Sequence, residues 1–294
     1  MDEKKLAKQL RRITIITIIG SLLLSAIGFG IFGYIMKSAH EAEHAQLQAE
    51  TAEYKERLLR QMDKNLQILT TLSKAYEVST ITDDPRQLGQ SLMETNAAND
   101  FVSMVYMRKD GTGLMHTTES GEVEAITMDD LHPYAVEVME SAHQGKNTIS
   151  KIFRSQALDE KIFVYAVPVF ENGEVVGALA AGDTINIFTD ATDGKTVMGG
   201  AGYLHLIADN GMFLVRSENT LVDEEMKNLY EGDVFSEQTK EEMRAALEKG
   251  ESVCGEYTYE GNRMHFYLVP LDVNGWYLFC ANKVGGLPLP WEML

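Results

Sequence analysis

The first strong pattern in the chain is an uncharged apolar run from Ile13 to Met36. At about 1.5 Å per helical residue, a run of this length can cross a hydrocarbon core of about 30 Å. A cleaved signal peptide would have a shorter apolar stretch, of about 7–15 residues, ending in small residues. Because this run is longer, and because helix-forming sequence continues directly from Lys37, we predict an uncleaved transmembrane helix over 13–36, after a short segment, 1–12.

A long amphipathic pattern follows the apolar run. No proline or glycine occurs between Lys37 and Val78, and apolar residues recur at steps of three and four, which is the spacing of one helix face. We predict a stalk helix over 37–78, roughly 60 Å long. Such a stripe can pack against later domains or against a second copy; the two roles are compatible, and we predict a parallel homodimer through it. The stripe consists of Leu47, Tyr54, Leu58, Met62, Leu66, Leu69, Leu72 and Tyr76, with Thr51 as its polar break.

Short β runs separated by turn residues then replace the helical pattern. The order β-β-α-β-β-β occurs twice, so we predict a membrane-distal module over 79–190, a membrane-proximal module over 191–283 and a tail over 284–294. The two predicted helices, over 128–144 and 222–249, each end at a glycine. The predicted strands cover 101–108, 113–118, 147–154, 161–170 and 174–183 in the distal module, and 203–208, 212–216, 251–259, 263–271 and 276–282 in the proximal one.

Two turn motifs mark the repeat. Pro168 followed by Asn172-Gly173 recurs 102 residues later as Pro270 followed by Asn274-Gly275, and Asn-Gly favours a tight hairpin because both residues tolerate positive φ. The last three predicted strands would form a meander. Cys254 and Cys280, the two cysteines of the chain, would then lie on either side of its middle strand. We therefore predict two buried free thiols and not a disulfide.

Charge differs sharply on the two sides of the apolar run. Residues 1–12 hold five basic and two acidic residues, a net charge of +3, whereas the rest of the chain holds 21 basic and 42 acidic residues, a net charge of −21. Basic flanks stay on the cytoplasmic side, so we predict a cytoplasmic N-terminus and an extracellular segment, 37–294. The acidic exterior has no basic stripe to neutralise phosphates, which argues against nucleic acid as a partner.

A membrane anchor, a long helix and two tandem PAS-like modules together resemble the double Cache domains of bacterial transmembrane receptors. The residues that carry the resemblance are Asp110-Gly111, the segment 165–183 and the segment 269–279. Such domains form the extracellular halves of chemoreceptors, sensor histidine kinases and diguanylate cyclases. The resemblance implies an α+β fold with antiparallel sheets, in which the distal module binds a small molecule and the proximal module relays the signal.

The resemblance and the residues themselves point to a ligand site in the distal module. Asp183 matches the family aspartate that holds a ligand ammonium, and Tyr134 matches an aromatic residue of the site. The arginine that would hold a ligand carboxylate has no counterpart in 117–145, so we do not expect an amino-acid ligand. Small residues before Asp183 leave room over the sheet. The candidate ligand-binding residues are Asp183, Tyr165, Arg154, Tyr106 and Tyr134.

Each of these residues also has a structural interpretation. Asp183 can cap a helix that begins near Thr184. Arg154 can form a surface ion pair, and Tyr106 and Tyr165 can belong to the core. The sequence alone does not decide between these structural roles and ligand binding.

One motif suggests chemistry of another kind. The segment from His40 to His44 fits the His-Glu-x-x-His pattern of zinc metalloproteases, in which two imidazoles on one helix face bind zinc and Glu41 acts as base. The flanking sequence is polar, however, and predicts a solvated helix with two incidental histidines. A metalloprotease is therefore the alternative function, and we expect no catalytic residue, no metal and no cofactor.

The function we predict is extracytoplasmic sensing of a small molecule in bacterial signal transduction. Family receptors usually return through the membrane to a cytoplasmic output domain, whereas the tail over 284–294 is too short to span. We therefore expect the chain to be a fragment or to signal through a separate receptor chain. A non-sensing interaction protein that dimerises with full-length receptors is a further alternative.

Overall fold

The computed structural model describes residues 3–78, 81–190, 202–216 and 226–285. The chain begins with one long helix, α1 (Glu3–Glu77), which contains both the apolar run and the stalk. The large apolar side chains between Ile16 and Met36 are exposed, Phe29 by 78% and Leu24 by 72%. This is the one helix among the described residues that is long and apolar enough to cross a membrane.

The distal module follows. Its helices are α2 (Pro85–Asn99), α3 (Pro133–His143) and α4 (Asn186–Asp190). Its strands are β1 (Ser103–Arg108), β2 (Thr112–Thr117), β3 (Val123–Thr127), β4 (Thr148–Ile149), β5 (Phe153–Arg154), β6 (Lys161–Glu171) and β7 (Glu174–Thr184). All pairings are antiparallel, in the order β3-β2-β1-β7-β6-β4, with β5 also paired to β6. The stalk part of α1 packs on one face of this sheet and α3 on the other.

The proximal module repeats this plan. It contains β8 (Gly202–Ile207), β9 (Phe213–Val215), α5 (Glu237–Lys249), β10 (Val253–Tyr259), β11 (Asn262–Pro270) and β12 (Tyr277–Lys283). The antiparallel order is β10-β11-β12-β8-β9, which is the order of β4-β6-β7-β1-β2 in the distal sheet. The Asn-Gly turns have the positive φ angles expected of them, 50° and 80° at Asn172 and Gly173, and 51° and 68° at Asn274 and Gly275.

The stripe on the stalk packs against the sheets of its own chain. Leu47, Leu58 and Leu69 are at most 2% exposed, and they share one apolar cluster with side chains of both modules, including Tyr165 and Trp276. Burial of this stripe is the main force that holds the helix to the sheets. The stripe is therefore not available for the homodimer predicted through it.

Several elements differ from the prediction. Helix α2 and strand β3 were not predicted, and the strand expected over 147–154 is two short strands. The helix expected over 222–249 begins at Glu237, because Ser236 caps it through the Thr239 N–H at 3.1 Å, and 226–235 is not helical. Residues 222–225, the linker 191–201 and the last nine residues of the tail, 286–294, lie outside the described residues.

The meander predicted at the C-terminal end is confirmed. Cys254 on β10 and Cys280 on β12 both pair with Tyr267 on β11, so a full strand separates the two cysteines. Both are free thiols. Cys280 is buried as expected, but Cys254 is exposed.

Candidate functional site

A cavity of about 310 Å³ lies in the distal module, between the sheet and α3. Its volume is at the lower end of the range of small-molecule sites. Neighbouring strands supply its floor, and the start of α3, β5 and the loop 155–158 supply its walls. The floor consists of Ser103, Val105, Met115, Thr117, Ile162, Val164, Ala180 and Gly182.

The room above the floor comes from small side chains at the centre of the sheet. Ala180 and Gly182 on β7 lie next to Val105 and Ser103 on β1. A Cβ atom added at Gly182 would collide with the Ser103 hydroxyl. A packed sheet would normally fill such positions with larger apolar residues, so the small residues keep the cavity open.

His132 is fixed in the cavity wall by the helix start. Pro133 occupies the first turn of α3, and His132 Nδ1 accepts a hydrogen bond from the Tyr134 backbone N–H at 3.2 Å. The imidazole stacks on Phe153, with 4.2 Å between ring centroids and 9° between planes. The two rings therefore form a preorganised aromatic wall.

The charge in the cavity wall is negative. Asp129 and Asp130 line it, and Asp130 accepts hydrogen bonds from the Thr127 N–H and hydroxyl at 2.7 and 2.8 Å. These bonds keep the pKa of Asp130 below its usual value. Among the described residues, no lysine or arginine lines the cavity. The site therefore suits groups that donate hydrogen bonds or carry positive charge.

Comparison with known proteins identifies the family. The family model for the Cache domain, dCache_1, matches residues 35–284. The chain belongs to the Cache domain family. Comparison with curated proteins gives no match. The double Cache assignment based on the repeat and its turn motifs is thereby confirmed, and this family senses ligands rather than catalysing reactions.

Solved sensory domains of chemoreceptors and a histidine kinase have a similar fold. The sensory domain of the Campylobacter jejuni chemoreceptor Tlp3 is 9% identical, with a TM-score of 0.64 over 85% of this chain and 95% of that one. The ligand-binding domain of Pseudomonas aeruginosa PAO1 PctB, in complex with L-Arg, is 16% identical, with a TM-score of 0.60 over 86% and 100%. The extracellular domain of the putative histidine kinase soHK1S-Z6 is 14% identical, with a TM-score of 0.61 over 84% and 96%.

Three of the five predicted ligand-binding residues of this Cache domain lie on the stalk side of the distal sheet. Asp183, Tyr165 and Tyr106 are buried there, and Asn65 of the stalk donates to Asp183 Oδ2 at 2.9 Å and to the Tyr165 hydroxyl at 3.3 Å. Burial, and then the charge of Asp183, raises the pKa of Tyr165. Tyr106 packs edge-on against Tyr76, with 6.4 Å between ring centroids. The sheet separates all three from the cavity.

The helix that Asp183 would cap in the alternative interpretation begins later than Thr184. Strand β7 continues through Thr184, and α4 begins only at Asn186. The Asn186 N–H donates a hydrogen bond to the Thr184 hydroxyl oxygen at 3.3 Å. Asp183 instead joins the stalk to the sheet.

The other two predicted residues lie at or outside the rim of the cavity. Tyr134 is half-buried beside His132 and Phe153. Arg154 is exposed and forms an ion pair with Asp159 at 2.8 Å, which is the structural alternative for this residue. The structure does not bring the five residues together. Of the wall residues that the prediction omitted, His132 had a signal, since it directly precedes the proline that starts a helix.

The two histidines of the His-Glu-x-x-His motif are not incidental. His40 and His44 are half-buried and pack against His265 of β11, with 4.5 and 3.9 Å between ring centroids. Glu256 of β10, which pairs with His265 across the strands, completes a group of four. Glu41 is 67% exposed, and its side chain lies 3.8 Å from Lys37. The metalloprotease alternative therefore lacks a base directed at the histidines.

Proposed function

We propose that this chain is a membrane-anchored sensor, whose distal Cache module binds a small organic molecule in the cavity between the sheet and α3. The observation that carries the proposal is the cavity itself. Small residues keep its floor open, and the stacked rings of His132 and Phe153 fix one wall. A preformed cavity that combines apolar side chains with convergent polar groups is typical of a small-molecule site.

The wall chemistry restricts the ligand. Related sensor domains bind amino acids: Tlp3 has been solved with isoleucine bound, and PctB in complex with L-Arg. In this chain, a free α-carboxylate would meet Asp129 and Asp130 with no lysine or arginine of the described lining to balance it. We therefore infer an uncharged or cationic ligand, such as a small amine, with an apolar part that covers Val105 and Ala180.

The same sheet connects the cavity to the stalk. Strands β1, β6 and β7 contact the cavity on one face and α1 on the other. Asn65 of the stalk donates a hydrogen bond to Asp183 directly behind the cavity floor. Binding that shifts these strands would therefore displace the stalk, which continues without interruption into the apolar run. A ligand can move this equilibrium only by the difference between its affinities for the two arrangements.

Filling the cavity tests the site. Ala180→Leu adds a side chain where Ala180 is fully buried and faces the cavity, and Ser103→Ala removes a hydroxyl with little change in volume. We expect a library of amines, purines and uncharged polar compounds to contain a molecule that raises the Tm of the full chain in detergent. We expect Ala180→Leu to abolish that rise and Ser103→Ala to reduce it.

Arg154→Ala is the matched control, because its side chain is exposed and outside the cavity. It should respond as the wild type does. If Ala180→Leu and Ser103→Ala fold and keep the full response, the ligand binds elsewhere and the proposed site is wrong. Ser103→Ala decides the matter if the larger substitution does not fold.

Our proposal for localisation is a single-pass protein with residues 1–12 in the cytoplasm and residues 37–294 outside the cell. The charge difference between the two flanks and the exposed apolar run support it. For assembly, we retain a parallel homodimer but place it on the solvent-facing side of the stalk, because the stripe that first suggested a dimer is covered by the chain itself.

A further inference from the structure

The spacing of the groups in the histidine–glutamate cluster matches that of the ligands around a metal ion. One ligand atom from each of His40, His44, Glu256 and His265 lies within 4.8 Å of the others. Glu256 Oε1 lies 3.0 Å from His40 Nε2 and 3.2 Å from His265 Nε2, and His40 Nδ1 lies 3.1 Å from His265 Nε2. Tetrahedral ligands at about 2.0–2.1 Å from zinc are about 3.3 Å apart. His40 uses a different nitrogen in each of its two short contacts, and a metal ion binds only one of them, so the rings must turn to form a coordinated shell.

The surroundings hold the ligands in place. Arg263 donates two hydrogen bonds to the Glu256 carboxylate, at 2.7 and 3.0 Å, and such outer contacts usually orient a metal ligand. The His265 side chain is completely buried, and its Nδ1 has no hydrogen-bond partner among the described residues. A buried polar atom of this kind calls for an additional hydrogen-bonding partner, which Nε2, the nitrogen beside His40 and Glu256, does not supply.

We propose that His40, His44, Glu256 and His265 bind a divalent transition-metal ion, with Zn²⁺ as the best match. Imidazole and carboxylate ligands suit zinc, and imidazole also suits copper and nickel. Four protein ligands fill a tetrahedral shell and leave no open position, which is the pattern of a structural site and not of a catalytic one. The exposed side chain of Glu41 agrees with a non-catalytic role.

The position of the cluster gives the ion a mechanical role. His40 and His44 lie in the first turns of the stalk beyond the apolar run, whereas Glu256 and His265 lie on the proximal sheet. A bound ion would fasten the helix to the sheet where the helix leaves the predicted membrane span. Glu43, one residue before His44, already contacts the end of this sheet through the Gly285 N–H at 3.0 Å. The metal is therefore a second input to the same helix, separate from the distal cavity.

Metal titration of the full chain tests the site. The protein is purified in detergent with a tag that contains no histidine and is stripped of metal with a chelator. We expect one Zn²⁺ per chain, a rise in Tm when Zn²⁺ is added, and the visible absorption of a tetrahedral site when Co²⁺ replaces Zn²⁺. His40→Gln, His44→Gln and Glu256→Gln should each weaken Zn²⁺ binding by at least about tenfold.

Glu41→Gln is the matched control, because it changes the same helical segment without removing a ligand, and it should bind Zn²⁺ as the wild type does. The metal-free variants should melt at the temperature of the metal-free wild type, which separates lost binding from lost folding. Unchanged affinity in the three variants, or a six-coordinate Co²⁺ spectrum, would mean that the metal is held by the acidic surface, and the proposal would fail. The rise in Tm caused by a ligand of the distal cavity is a separate measurement, and its failure would leave the proposed metal site unaffected.

Discussion

Small residues along β7 alternate between two environments. Ala180 and Gly182 face the cavity, whereas Ala181 and Asp183 face the stalk. The sequence correctly predicts room over this strand. It cannot say which face holds the cavity between the sheet and α3, because successive side chains point to opposite sides of a sheet and both sides of this strand are small and apolar. Asp183, one position after Gly182, therefore points to the stalk and not to the rim of the cavity. A second cavity, lined by Asn65 and Asp183, lies on the stalk side.

Asp183→Ala tests this assignment of faces. The side chain is buried and accepts a hydrogen bond from Asn65. Its loss leaves a buried amide without that acceptor, which costs about 1–3 kcal/mol. We expect a lower free energy of unfolding in denaturant titrations and an unchanged response to any ligand of the cavity. An abolished ligand response at unchanged stability would return Asp183 to the binding site.

His205 makes the proximal module sensitive to acid. It is buried between Phe213 and Phe279, and burial, then the charge of Arg216, lowers its pKa to about 3. The unfolded chain takes up this proton below a pH of about 6.5. Between pH values of about 6.5 and about 3 the unfolded state binds more protons than the folded state. The folded state therefore loses stability as the pH falls from about 6.5 towards about 3.

The measurement is the free energy of unfolding at pH 7 and pH 5, for the wild type and for His205→Gln. We expect both proteins to lose stability on acidification, because His44, His116 and His265 also have lowered pKa values and are present in both. The wild type should lose more. An equal loss in the two proteins would show that His205 does not titrate on unfolding.

At the scale of elements, the stalk shows what periodicity can predict. Apolar residues that recur at steps of three and four correctly predict a helix with one apolar face. They do not identify the partner of that face, because a sheet and a second helix bury the same side chains. Contacts of buried polar residues of the stalk identify the partner, but only in the folded chain. Thr51 contacts Cys280, Asn65 donates a hydrogen bond to Asp183, and the Ser73 hydroxyl donates one to the Pro168 carbonyl.

Cysteine crosslinking in membranes distinguishes the two faces of the stalk. In a background without Cys254 and Cys280, Glu53→Cys, Arg60→Cys and Gln67→Cys place thiols on the exposed side. We expect these three to crosslink between copies, and Leu58→Cys, on the buried stripe, not to do so. Crosslinking at Leu58→Cys would show that the stripe faces a second copy. Uniform absence of crosslinks would remove the homodimer.

Helix α2, which was not predicted, has a local signal at its start. Asp84 caps α2 through the N–H groups of Arg86 and Gln87, and Pro85 stands in its first turn, which is a readable start. Its buried face, however, is only Leu88, Leu92 and Asn96 with Gly89, too weak a stripe to recognise. The proximal helix is shorter than predicted: Gly232, at a φ of 63°, lies in the non-helical segment before the cap at Ser236.

At the scale of the molecule, the internal repeat was the most informative feature of the sequence. Matching Pro and Asn-Gly positions predicted two similar modules, and the two sheets share one strand order. Their attachment to one helix was not predictable from local pattern, because it depends on pairs far apart in the chain. Examples are Asn65 with Asp183 and Lys55 with Asp272, the latter at 2.6 Å.

The shared helix places the two proposed inputs in series. The distal cavity acts on the stalk near Asn65, and the metal cluster acts on it at His40 and His44, next to the apolar run. A helix held by metal at its membrane end would transmit less displacement from the distal end. If both proposals hold, ligand affinity and metal affinity should be coupled, and the coupling should be equal in both directions.

The last prediction concerns the orientation in the membrane. Five basic residues precede the apolar run, and the rest of the chain has a net charge of −21, so the N-terminus should remain in the cytoplasm. A reporter that is active only in the cytoplasm, fused after Leu294, should be silent, and one that is active only outside should be active. Replacing Arg11 and Arg12 by glutamate removes the basic flank next to the run and should produce a mixed population. Activity of the cytoplasmic reporter in the wild type would place both modules inside the cell, where they could not sense an extracellular ligand.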